Sequence, residues 1–129
     1  MFVLLILVGG LNYLATFYHL YWTINEFDSA VHFLGGAALS AFFLWVYFFS
    51  GFFNPQNRNL RMFLAVAIVG SLVVAIAWEA YELILGEAVL QKAAYAYDTT
   101  LDFIMDTLGM VAVAFYGYIR EIEFKKIEA

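Results

Sequence analysis

At 129 residues the chain has the length of a single domain, yet 65% of its residues are hydrophobic, only 13% are charged and the mean hydropathy is +0.84. Soluble domains carry about a quarter of their residues as charges, so this composition excludes an ordinary soluble monomer and makes lipid the main solvent. A net charge of −5 with no basic stripe argues against a nucleic-acid partner, and zero cysteines exclude disulfides, thiolate metal ligands and a thiol nucleophile.

In chain order, a first apolar run covers residues 1–22. No basic residue precedes it and no small-x-small cleavage site follows, so it reads as a membrane span rather than a cleaved signal. After the short polar break at residues 23–26, a second run covers residues 27–53, with Asp28 and His32 at its beginning. Asn54-Pro55-Gln56-Asn57 holds the single proline among turn formers, and Arg58 and Arg61 follow, so the chain leaves the membrane there. A third run covers residues 60–86 and a fourth residues 98–118, separated by a looser stretch at 87–97. A polar tail, residues 119–129, reads as a solvated helix extension with affinity for a charged leaflet. Each run is long enough for the roughly 20 residues that cross a bilayer.

The expected fold is therefore all-α: a single transmembrane domain in the form of a four-helix bundle. Arg58, Arg61, Arg120, Lys125 and Lys126 lie in the middle connection and the tail, against only Lys92 on the other side. Short cytoplasmic segments are enriched in Lys and Arg, which puts both termini in the cytoplasm of a cell-membrane protein. Gly35, Gly36, Ala37 and Ala38 in the second span and Gly109 in the fourth would allow close helix approach. The aromatic run Phe42, Phe43, Trp45, Tyr47, Phe48 and Phe49 is expected to face lipid and the inner interface.

This topology brings the unusual polar residues to one depth, near the non-cytoplasmic face. Asp28 and His32 are four residues apart on one helix face, Glu79 and Glu82 three apart on another, and Asp98, Asp102 and Asp106 recur every four residues on a third. An acid at the centre of a membrane helix costs about 2.5–3.5 kcal/mol on insertion scales, so a group of them needs internal neutralisation. Lys92 alone cannot supply it; protons, a metal cation or a cationic ligand must. Carboxylates with imidazole on facing helices match metal sites of helix bundles and suit zinc, manganese or iron. The expected ligands are His32, Glu79, Glu82 and Asp102. Asp28, Asp98 and Asp106 are the candidate catalytic acids around them: Asp28 would orient His32, Asp106 would support from beneath, and Asp98, with His19, would stand at the mouth. Taken singly, Asp28 and Asp98 read equally as helix caps, and His19 as an interfacial imidazole among aromatics.

The order of these residues resembles the VanZ-like membrane proteins and the YjdF-like small bacterial membrane proteins. Asp28-Ser29-Ala30-Val31-His32 is similar to the Asp-Lys-x-x-His opening of a span in that group, Glu79-Ala80-Tyr81-Glu82 to its acidic pair, and the stretch from Asp98 through Asp102 and Asp106 to Gly109 to its Asp-x-x-x-Asn/Asp-x-x-Gly ending. Ser29 replaces the lysine, and Glu82 and Asp106 stand where glutamine and asparagine are frequent, which brings the chain nearer the YjdF-like variant. The resemblance implies a role in the cell envelope and supports the site more than any one activity.

Three functions follow as expectations. The first is a metal-dependent membrane enzyme acting on a lipid or lipid-linked headgroup. The second is proton or cation transport or sensing, for which four spans would need a homo-oligomer. The third is a structural subunit in which the acids are interhelical glue.

Overall fold

The computed structural model describes residues 2–24, 27–85 and 95–128, which are all-α with no strand among them. The helices are α1 (Phe2–Phe17), the single turn α2 (Leu20–Thr23), α3 (Phe27–Leu44), α4 (Leu60–Leu85) and α5 (Tyr95–Glu128), and a π-helical turn, Trp45–Phe49, prolongs α3. Three stretches are long and apolar enough to cross a membrane: Phe27–Phe49, Leu60–Tyr81 and Thr99–Ile127. The polar tail is helical, as the sequence suggests, so α5 runs on well past residue 118.

The first expected span differs from its reading as one run. A 16-residue α1 rises about 24 Å, short of about 30 Å of hydrocarbon. His19 then takes a left-handed backbone conformation, φ 56°, which a helix cannot continue through. The freed polar groups are met locally: Thr23 Oγ1 donates to the His19 carbonyl at 3.1 Å, and the Tyr21 hydroxyl donates to Asn12 Oδ1, tying α2 back onto α1. Leu, Tyr and Trp in α2 carry no signal of this break.

The bundle is built around α3, α4 and α5, and α1 packs chiefly along α3. The contact between α3 and α5, which run in the same direction, is the most extensive. It depends on glycine. A Cβ on Gly109 would stand 2.1 Å from the Phe33 carbonyl oxygen, and one on Gly36 would stand 2.3 Å from that of Asp106. Backbones that meet so closely leave no room for any side chain at either position, and the small residues expected at this crossing are the ones that make it. Gly70 serves α4 in the same way, since a Cβ there would strike the ring of Phe43 at 2.6 Å.

Below the crossing, Leu44, Phe48, Phe63, Ala67 and Ala114 form the buried core. Phe48 stacks on Phe63 with ring centroids 4.2 Å apart and planes 11° from parallel. Phe48 is thus the exception in an aromatic run expected to face outward; Trp45 and Phe49 remain exposed. The π-helical turn accounts for it, because wider hydrogen bonding shifts the angular phase of the residues it contains.

Ser40 and Ser71 are completely buried and 3.1 Å apart between α3 and α4, with Ser40 Oγ also within 3.4 Å of the Ala67 carbonyl. In lipid such a bond competes with other partners in the unfolded chain. A double-mutant cycle of Ser40→Ala and Ser71→Ala, read by unfolding in detergent, should return a coupling of about 0.6 kcal/mol.

Candidate metal centre

At one end of the bundle lie the first turns of α3, the last turns of α4 and the early turns of α5. Spacing on each helix sets what points inward there. Asp28 and His32 are an i, i+4 pair on α3, and Asp102 and Asp106 an i, i+4 pair on α5, so each pair presents a single face. Because α3 and α5 touch at Gly36 and Gly109, one turn beyond His32 and just beyond Asp106, these two faces are pressed together.

His32 is the hub of the arrangement. Its Nδ1 lies 3.3 Å from Asp106 Oδ2, and both residues are buried. A carboxylate oxygen accepts, so the ring donates from Nδ1, and Nε2 is the nitrogen left to a proton or a cation. Facing Nε2 are Asp28 Oδ1 and Asp102 Oδ1, each 3.7 Å away. Three electron-rich atoms, one each from Asp28, His32 and Asp102, thereby fall within 4.8 Å of one another. The 3.7 Å separations exceed the N–H···O range of about 2.7–3.2 Å. They approach the span of about 3.4 Å between donors around a tetrahedral ion with bonds of about 2.0–2.1 Å. The same separations suit ion pairs to a protonated ring, so either a proton on Nε2 or a shared cation would neutralise the group.

Asp102 is buried, whereas the Asp28 side chain is 41% exposed, so the group opens at Asp28 toward the end of the bundle. Glu79 of α4 is a further buried acid, outside the three-donor group. It is only 8% exposed, and neither carboxylate oxygen has a partner within hydrogen-bond geometry. The Thr99 hydroxyl is near but outside hydrogen-bond geometry, and the charges of His32, Asp106 and Asp28 act on Glu79 from a distance. An uncompensated buried carboxylate is costly, so a proton or a cation is needed to neutralise Glu79.

Of the residues singled out in the sequence, Asp28, His32, Asp102 and Asp106 are brought together, and Glu79 lies within range of their charges. The side chains of Glu82 and Asp98, together with Lys92 and most of the connection at 87–97, lie outside the described residues. Two assignments change places. The sequence reading has Asp28 orienting His32 and Asp106 supporting from beneath, whereas the Nδ1 bond belongs to Asp106 and Asp28 joins the three-donor group. Thr99 was given no role, although its spacing of three to Asp102 and seven to Asp106 places it on their helical face.

The sequence matches the model of a family described as predicted membrane protein (DUF2238) over residues 1–122. No curated protein and no solved structure matches the chain.

Proposed function

The chain belongs to the DUF2238 family of predicted membrane proteins, and on that premise we propose that it holds a divalent metal ion, zinc, manganese or iron, at His32, Asp28 and Asp102, with Glu79 completing the donor set. The observation that carries this reading is the His32 ring itself. Its Nδ1 is committed to Asp106, and its Nε2 faces two carboxylate oxygens at the separation of metal donors rather than of hydrogen bonds. Asp106 takes the part that carboxylates take behind metal-ligating histidines, fixing the tautomer and raising ligand basicity. Nitrogen and oxygen donors without sulfur suit zinc, manganese and iron.

A metal in such a place supplies Lewis acidity and an acidified water. Asp28, half-exposed at the open end, is the acid that reaches arriving groups, while Asp102 and Glu79 lie inside. The position near one end of three membrane-spanning helices supports a lipid or lipid-linked headgroup as the substrate, met at the membrane surface. The distribution of Lys and Arg makes that surface the non-cytoplasmic one, in the cell membrane. The motif order shared with VanZ-like and YjdF-like proteins is consistent with work in the envelope. A second reading rests on Glu79: an orphaned buried carboxylate beside an imidazole also serves proton or cation transfer, through a homo-oligomer of this bundle.

Elemental analysis of protein purified in mild detergent separates these readings. Wild type should carry a stoichiometric transition metal, and a His32→Ala/Glu79→Gln variant of equal monodispersity should carry none. Metal-loaded wild type, and not the variant, should then release headgroup from lipid or lipid-linked substrate in mixed micelles. A metal-free wild type after supplementation would discard the metal reading in favour of proton handling.

A further inference from the structure

The other end of the bundle holds a second charged constellation, remote from the acids around His32. Here the chain leaves α3 at the π-helical turn, and α5 runs on beyond the apolar core. Arg58 is locked between them. One guanidinium nitrogen donates to the Phe48 carbonyl at 2.7 Å and another to Glu121 Oε2 at 3.1 Å. Its carbon lies 5.7 Å and 5.6 Å from the ring centroids of Phe48 and Phe49. Lys125 approaches the other oxygen of Glu121 at 3.4 Å, so two cations share one buried carboxylate.

These groups border a cavity of about 420 Å³ lined by Phe49, Arg58, Arg120, Glu121, Phe124 and Lys125. Three cations and one carboxylate line it, and with Arg120 also paired to the exposed Glu123 at 2.6 Å the group keeps a positive surplus in a chain whose overall charge is −5. We propose that this groove binds the phosphate headgroup of an anionic membrane lipid. A free anion would need only the cations; the exposed rings of Phe49 and Phe124 beside them add an apolar wall suited to the glycerol and upper acyl carbons. Membership in the surrounding helix agrees: exposed Ile119, Ile122 and Ile127 accompany Arg120, Lys125 and Lys126, the mixture of apolar and basic side chains that sits at headgroup level. Basic pockets between membrane helices are a recurrent form of anionic lipid recognition. Arg58, already held by a backbone carbonyl, is pre-ordered for a phosphate oxygen, and the exposed Arg120 and Lys125 border the same groove.

The test is native mass spectrometry of the full chain in detergent, titrated with phosphatidylglycerol or with phosphatidylcholine of the same acyl chains. Wild type should retain the anionic lipid at least about tenfold better, and raising the ionic strength should erase that preference. The Arg120→Gln/Lys125→Gln variant, which leaves Arg58 on its carbonyl, should weaken retention about 30-fold, the loss expected for two surface cations. Equal retention of the two lipids by wild type, a preference indifferent to salt, or an unchanged variant would overturn the proposal. So would inorganic phosphate that displaces the lipid at equal concentration, since the site would then be one for a free anion.

Discussion

Asp106→Asn protein should bind its divalent metal about 10–100-fold more weakly than wild type while still taking up one ion at saturation. The reason lies in the order of contacts: Asp106 touches the ring of His32 through Nδ1, on the far side from the three donor atoms. Asparagine keeps the shape but offers a weaker acceptor, and its amide can also turn a donor toward the ring, so the tautomer that frees Nε2 is no longer enforced. His32→Ala and Asp102→Asn act differently, since the first deletes a donor and the second replaces an anionic donor with a weak neutral one, and both should abolish stoichiometric binding. Glu79→Met should separate binding from stability. It removes a buried carboxylate without hydrogen-bond partners, so metal-free protein should melt at a higher temperature than wild type while its metal affinity falls. Chelator competition followed by thermal unfolding in the same detergent reads all four variants. A purely interhelical role for the cluster predicts the reverse pattern, in which Asp106→Asn costs stability and no variant alters metal uptake.

The second large effect concerns the crossing that assembles this site. Gly109→Ala should destabilise the bundle by about 1–3 kcal/mol or more, the cost of overpacking, because the new Cβ meets the Phe33 carbonyl oxygen at 2.1 Å and the Ala37 nitrogen at 2.8 Å. Both obstacles are backbone, so no flexible side chain can swing aside. The helices must part, and parting them separates His32 from Asp102 and Asp106. Gly36→Ala strikes the Asp106 backbone directly, at 2.3 Å for the oxygen, and should lose metal for the same reason. Gly9→Ala is the internal control. Nothing lies within 4 Å of a Cβ there, so only the helix propensity of alanine is felt, and the variant should match or slightly exceed wild type. Monodispersity, unfolding and metal content of the three variants measure the contrast.

The legible part of the site consisted of spacings along single helices. Asp28 with His32, and Asp102 with Asp106, are related by one turn and needed only the helical period to be paired. The alternation of apolar runs with short polar connections then brought α3, α4 and α5 end to end, so that Glu79 had to arrive at the same depth. Which nitrogen of His32 meets which carboxylate was not legible. A rotation of α5 by a fraction of a turn exchanges Asp102 and Asp106 in their distance from the ring, and nothing in periodicity sets that rotation. Helical spacing pairs Asp28 with His32, and in the structure it brings Asp28 to Nε2 while Asp106 reaches Nδ1.

The same division runs through the whole protein. Composition and hydropathy by themselves determined an all-α membrane protein, the small residues of its closest crossing and the pool of acids near one end, because each of these is set by solvent transfer or by local period. Only the tertiary structure decided that α1 stops at a left-handed His19 and packs chiefly on α3, that Phe48 turns inward through a π-helical turn, and that Asp106 rather than Asp28 holds the imidazole. Those outcomes depend on the mutual rotation of packed helices and on backbone bonds made across elements, quantities to which no single stretch of residues is sensitive.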